Sequence, residues 1–166
     1  MSQETVPATA DVVEPPVKSV GIVKAAGILG IVGGILLIVV AIIAWIAVTA
    51  QLTAENITIP DDAAAFAGEQ VTGPVTAYIQ ADVINKHALE ASGGQTYAEL
   101  PQDDPVRATV MQASFLRASL FTSVVAYGVA LFAAGVGVLS VLFGWALLRL
   151  ASVPVVVRRS TVAAAP

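Results

Sequence analysis

The chain has 166 residues, 57% of them hydrophobic and 12% charged, against about 25% charged in ordinary soluble domains, and its mean hydropathy is +0.83. That composition excludes a purely water-soluble globule, and a net charge of −4 argues against the basic surface that nucleic-acid binding requires, so no nucleic acid is expected as a partner. The absence of cysteine removes disulfides, thiolate metal sites and cysteine nucleophiles.

The first 20 residues, MSQETVPATADVVEPPVKSV, mix Pro, Thr, Glu and Val without periodicity, and residues 1–24 read as a flexible tail. Between Lys24 and Glu55 no side chain is charged. Residues 25–48 exceed the roughly 20 apolar residues that cross about 30 Å of hydrocarbon, which predicts a transmembrane helix. The competing reading is a cleaved signal peptide, but the apolar core is longer than the roughly 7 to 15 residues usual there, so retention is favoured.

The segment 49–117 is punctuated into short elements. Asn56 to Pro60 reads as extended, with Asp61 and Asp62 as caps for the short run AAAFAGE. Gly73 and Pro74 mark a turn, and residues 75–91 carry an amphipathic helix stopped by Gly93 and Gly94. Asp104 as N-cap and Pro105 in the first turn start another helix. It runs unbroken as a stem into a second charge-free stretch between Arg117 and Arg149. Residues 118–149 are thus the second predicted span and residues 150–166 a tail, whose Val155 to Val157 run could lie along a leaflet.

Orientation follows from flanking cations, which are held on the cytoplasmic side. Lys18 and Lys24 precede span one, and Arg149, Arg158 and Arg159 follow span two. The intervening segment carries nine acidic residues against Lys86, Arg107 and Arg117. Both termini are therefore expected in the cytoplasm and the loop outside, with Trp45 and Trp145 as interfacial anchors. The expected fold is an all-α membrane protein: a two-helix hairpin with a small, mainly helical extracytoplasmic segment and a long second helix extending out of the membrane.

Neither span holds a charged residue, which argues against a channel or pump. Both carry small-residue seams. In the second, Ser119, Ser123, Ala126, Ala130, Ala133, Gly137, Ser140 and Gly144 recur at alternating spacings of four and three; in the first, Gly27, Gly30, Gly34, Ala41 and Ala44 follow the same rule, broken by Leu37. Small side chains permit the close approach on which helix association in lipid depends, and a 3.5-residue period suits left-handed packing. The seams could satisfy each other in a hairpin, or one could face another protein. Abundant Ala and Gly alone is the bland explanation, but eight positions in phase make packing surfaces the better one.

Catalytic chemistry finds little footing. His87 has Asp82 and Glu90 nearby in sequence, yet a metal site needs more than one good ligand, and a surface or capping histidine is the simpler reading. The pairs Asp61/Asp62 and Asp103/Asp104 read as caps and solvated charge rather than acid/base carboxylates. No EF-hand pattern supports calcium at Asp103 and Asp104. Asn56-Ile57-Thr58 matches a glycosylation sequon, meaningful only in a eukaryotic secretory route. No catalytic residue, metal site or cofactor is therefore expected. A segment of about 65 residues is marginal as an independent fold without staples. Packing against the stem or a partner is expected, with Phe66, Tyr78, Ile79, Tyr97 and Leu100 the apolar residues available for it.

The pieces DDAAAFAG, INKHALEASGG, TYAELPQDDPVRATVM and ASFLRASLFTSVVA resemble a family of uncharacterised two-span membrane proteins from actinobacteria, over about residues 52–130. Many members carry the name aromatic ring-opening dioxygenase LigA. Such dioxygenases hold iron with two histidines and a glutamate; this chain has one histidine, so the resemblance brings no catalytic residue with it. It implies an actinobacterial plasma membrane, with the patterned surface in the outer loop and stem. The expected function is a non-enzymatic accessory or assembly subunit whose partners are the lipid bilayer and other integral membrane subunits. By analogy, the respiratory cytochrome bc-oxidase supercomplex is the leading host. The alternative is a free-standing extracytoplasmic sensor or ligand-binding protein.

Overall fold

A computed structural model describes residues 17–153. The remaining parts of both expected tails, with the Val155 to Val157 run and the cations Arg158 and Arg159, lie outside the described residues. Three helices follow in order: α1 Val17–Ala54, α2 Pro74–Ala91 and α3 Arg107–Leu150. Among the described residues there is no strand, only an isolated antiparallel bridge between Thr58 and Gln70. Two helices are long and apolar enough to cross a membrane, and only 11% of the most apolar window of each is buried within the chain. A core helix of a water-soluble protein would hide most of such a window; these turn it outward. In lipid that is the stable arrangement, because a helix satisfies its own backbone groups and apolar side chains face the tails.

Helix α1 begins at Val17, inside the expected N-terminal tail, and carries the backbone through Lys18 and Lys24 before the charge-free run. It ends where Asn56 turns left-handed (φ 52°), a conformation that Asn tolerates better than most residues. Helix α2 matches expectation closely. Pro74 occupies its first turn, and the Thr76 hydroxyl oxygen accepts from the Thr72 and Gly73 amides, both at 3.1 Å. At the other end Gly93 and Gly94 take φ of 65° and 89°. Gly94 N–H donates to Leu89 O at 2.7 Å, a left-handed closure that suits glycine because it has no Cβ to clash.

Asp104 caps as predicted, its Oδ1 accepting from Val106 N–H at 2.8 Å. Regular helix starts two residues beyond Pro105, at Arg107, and α3 then runs 44 residues without interruption, about 66 Å at 1.5 Å per residue.

The expectation of a short capped helix after Asp61 and Asp62 is corrected. Residues 61–68 form turns, with Phe66 and Gly68 at φ 59° and 77°. The cause lies in the flanks: Ile59 N–H donates to Glu69 O, Gly68 N–H to Ile59 O, and Val71 N–H to Ile57 O, each at 2.9 Å. Those bonds close a tight loop that leaves no length for a helix.

The chain divides into two compact units, one of residues up to Leu36 together with those from Gly137 onward, the other Leu37–Val136. In the first, α1 and α3 cross with their backbones nearly touching: a Cβ built on Gly34 would lie 2.5 Å from Gly137 O, and one on Gly144 2.5 Å from Gly27 O. In the second, α2 and the loop before it pack on the α1 and α3 segments of that unit around Leu52, Ile59, Val71, Ala77, Ala81, Leu120 and Tyr127. Residues 55–106, which we call the head, thus find their core partners within the chain.

Candidate functional site

The seam residues are placed by burial as follows. Gly27, Gly34 and Ala41 on α1 and Ala130, Gly137 and Gly144 on α3 are buried; Gly30, Ala44, Ser123, Ala126, Ala133 and Ser140 are half-buried; Ser119 is exposed. Within the first unit the seams meet each other: Gly27 faces Gly144 and Leu148, Gly30 faces Ser140 and Gly144, and Gly34 faces Gly137 and Val141. Backbones this close bring Cα–H groups and carbonyls into contact across the pair, the weak but cumulative attraction typical of small-residue crossings.

In the second unit the residue that the sequence did not single out is Tyr127, 2% exposed. Its ring meets Trp45 edge-on, centroids 4.5 Å apart. Its hydroxyl lies 2.7 Å from the Thr49 hydroxyl and donates to Thr72 O at 3.4 Å. One side chain therefore ties α3 to α1 and to the loop before α2. A tyrosine amid Val, Ala and Gly gives no sequence signal for partners 78 and 55 residues away.

Of the residues expected to be available at the head surface, Phe66, Tyr78 and Tyr97 are exposed at 42%, 54% and 37%. Ile79 is half-buried against the core. Leu100 is buried at 4%, and is not available to a partner: Arg107 donates to its carbonyl while stacking 4.1 Å over the Tyr97 ring, which folds the segment back on α3. Tyr78 meets Phe121 edge-on at 5.8 Å.

His87 is a surface histidine, and its partner is distant in sequence. Asp62 Oδ2 lies 2.8 Å from His87 Nε2 and 3.0 Å from Lys86 Nζ. The hydrogen bond to His87, then that to Lys86, holds the Asp62 carboxyl down at about 2, and Asp62 in turn raises Lys86. The Glu99 carboxylate accepts from the Thr96 amide and hydroxyl at 2.7 and 2.8 Å, which lowers its pKa. Among the described residues no three His, Asp or Glu side chains gather as a metal would require.

A cleft of about 320 Å³ lies where the end of α1, α2 and the start of α3 converge. Apolar Leu52, Ile57, Ile84 and Leu116 line it with Glu55, Gln80 and Ser119. A second hollow of about 240 Å³ shares Leu52, Glu55 and Ser119 and adds Gln51, Thr122 and Ser123. Gln80 is the buried polar residue of the head, 8% exposed, and its Oε1 has no hydrogen-bond partner. No family model, curated protein or solved structure matches the chain.

Proposed function

We propose that the protein is a non-enzymatic accessory or assembly subunit of a larger plasma-membrane complex, anchored by two spans with both termini cytoplasmic and the head outside. The observation that carries this reading is the exposed apolar decoration of the head and stem. Phe66, Val75, Tyr78, Tyr97 and Phe115 are 37% to 66% exposed on a segment whose nine acidic residues suit water. Aromatic side chains displayed in this way are the usual anchors of protein interfaces. The head core is satisfied within the chain, so the exposed faces of these side chains, including those that Tyr78 and Tyr97 leave open beside Phe121 and Arg107, are available to another subunit. An actinobacterial respiratory assembly of the cytochrome bc-oxidase type is the proposed host, by analogy alone.

The test is gentle detergent extraction of the tagged protein from its native membrane, native-gel sizing and mass spectrometry of what remains bound. Stoichiometric recovery of named membrane subunits, reduced by Tyr78→Ala, is expected. Recovery of the free protein or a homo-oligomer overturns the reading. A second reading, a free-standing ligand-binding membrane protein, is favoured by the cleft of about 320 Å³; it requires that the isolated protein bind a small molecule.

A further inference from the structure

Lys24 and Arg149 close the two charge-free runs at one end of the helix pair, where α1 begins and α3 ends. Gly27 meets both Gly144 and Leu148, so it stands level with Ala146, midway between them. Lys24 is three residues before Gly27 and Arg149 three after Ala146, which puts each about 4.5 Å further towards that end at 1.5 Å per residue. The two cations therefore share a depth, and Trp145, four residues before Arg149, lies about 6 Å deeper.

They also share a flank. At about 100° per residue, Lys24 stands about 60° round α1 from Gly27 and Trp145 about 100° round α3 from Gly144, both in the sense in which the chain winds. The helices are antiparallel, because Gly27 pairs with Gly144 and Gly34 with Gly137, and in an antiparallel pair rotations of the same sense lead to the same side. Arg149 follows Trp145 onto this side, its guanidinium 5.3 Å from the ring centroid. The opposite flank carries Ala26, Phe143 and Leu147 at the corresponding angles and no charge. Both cations are exposed, and among the described residues neither makes an ion pair. No acidic residue stands between Glu14 and Glu55 or after Asp104. The backbones nearly touch here, a Cβ on Gly27 falling 2.8 Å from Gly144 O, so long side chains from the two helices can converge on one group above the seam.

We propose that this flank holds the phosphate of an anionic phospholipid. Cations at a span's end meet headgroup phosphates, to which Lys and Arg donate charge-assisted hydrogen bonds. Lys24 and Arg149 grip the phosphate oxygens from the two helices, and the Trp145 indole, 54% exposed, lies in the ester layer beneath. The acyl chains run along Ile28 and Val138, which are 54% and 49% exposed. The proposal rests on the membrane-spanning reading and not on the accessory role, so the two fail independently.

The test uses the purified full chain in mixed micelles, offered phosphatidylglycerol and phosphatidylcholine with identical acyl chains in equal amounts, with bound lipid read by native mass spectrometry. Both headgroups carry a phosphate, but only the first has a net negative charge. The expected enrichment of phosphatidylglycerol is about fivefold for each cation, or about 25-fold for both. Lys24→Gln and Arg149→Gln each lower it about fivefold, with an unchanged unfolding midpoint because both side chains are exposed. The decisive variant combines Lys24→Ala with Ala26→Lys, which keeps the net charge and the depth but moves the cation to the apolar flank; the enrichment is expected to fall as in Lys24→Gln. Bound lipid that mirrors the supply, or a full preference kept by the charge-moved variant, overturns the proposal. Soluble glycerophosphoglycerol at equal concentration is expected to leave the lipid bound; displacement overturns the membrane source.

Discussion

The tight crossing at Gly144 gives the sharpest test. A methyl group added there would lie 2.5 Å from Gly27 O, 2.9 Å from Ile31 N and 2.9 Å from Ile31 Cγ1, where ordinary contact begins at 3.4 Å. Two of those atoms are backbone, so a shortfall of about 0.9 Å must be met by parting the helices, an overpacking expense of about 1–3 kcal/mol. Gly33 sits on the same helix pair, and a methyl group added to it would have nothing within 4 Å. There the Gly-to-Ala change is neutral or helpful by up to about 1 kcal/mol through helix propensity. Gly30 is intermediate, with Ser140 O at 3.3 Å. Stability therefore ranks Gly33→Ala above Gly30→Ala above Gly144→Ala, the extremes differing by about 1–3 kcal/mol or more. The assay is SDS-driven unfolding in mixed micelles read by pulse proteolysis. If Gly144→Ala proves as stable as Gly33→Ala, the two seams do not pack on each other and the reasoning is refuted.

Tyr127→Phe removes a hydroxyl shared with Thr49 and Thr72 and lowers stability by about 1–2 kcal/mol; the double variant with Thr49→Val recovers part of that loss, which a double-mutant cycle in the same unfolding assay measures. Gln80→Leu replaces a buried amide whose Oε1 has no hydrogen-bond partner by an apolar group and raises stability by about 1–3 kcal/mol, seen as a higher midpoint. Asp62 is depressed from 3.8 to about 2, so its contribution is fully present above pH 3.8 and lost as pH falls toward 2. NMR titration of the Asp62 carboxyl carbon is expected to give a midpoint near the lower value, and Asp62→Asn abolishes the acid sensitivity of the 61–68 turn. Arg107→Ala frees the Leu100 carbonyl and the Tyr97 ring, so amide exchange across residues 95–104 speeds while that of α2 is unchanged.

The two helices long and apolar enough to cross a membrane are legible because charge is absent over long runs, a one-dimensional signal. Helix α2 was legible because Gly73-Pro74 and Gly93-Gly94 bracket it. The seam was legible in part. The column Ser123, Ala130, Gly137 and Gly144 is half-buried or buried throughout, but the column beside it that completes the inner face is Leu120, Tyr127, Ala134, Val141 and Leu148, rather than Ser119, Ala126, Ala133 and Ser140 alone. Spacing fixes the period of a stripe and one of its edges; which flank turns inward depends on bulkier side chains filling the space beside it. The Asp62 pairing with His87, 25 residues away, and the burial of Gln80 escaped for a related reason. Both are set by how the loop folds over α2, and local pattern carries no information about that fold. The 61–68 turn misled because two aspartates before a run of alanines look like a helix start, while the deciding bonds lie between Ile57, Ile59 and residues 68–71.

The two tryptophans of the chain fall one in each compact unit: Trp45 against the edge of a tyrosine, Trp145 with the Arg149 guanidinium 5.3 Å from its ring centroid. Indole emission follows local polarity and quenching neighbours, so the molecule carries a separate optical reporter for each half. A variant with Trp145 replaced by Phe would light only the Tyr127 junction, and one with Trp45 replaced would light only the end where Arg149 lies. Loosening of either unit could then be followed by colour without attaching a label.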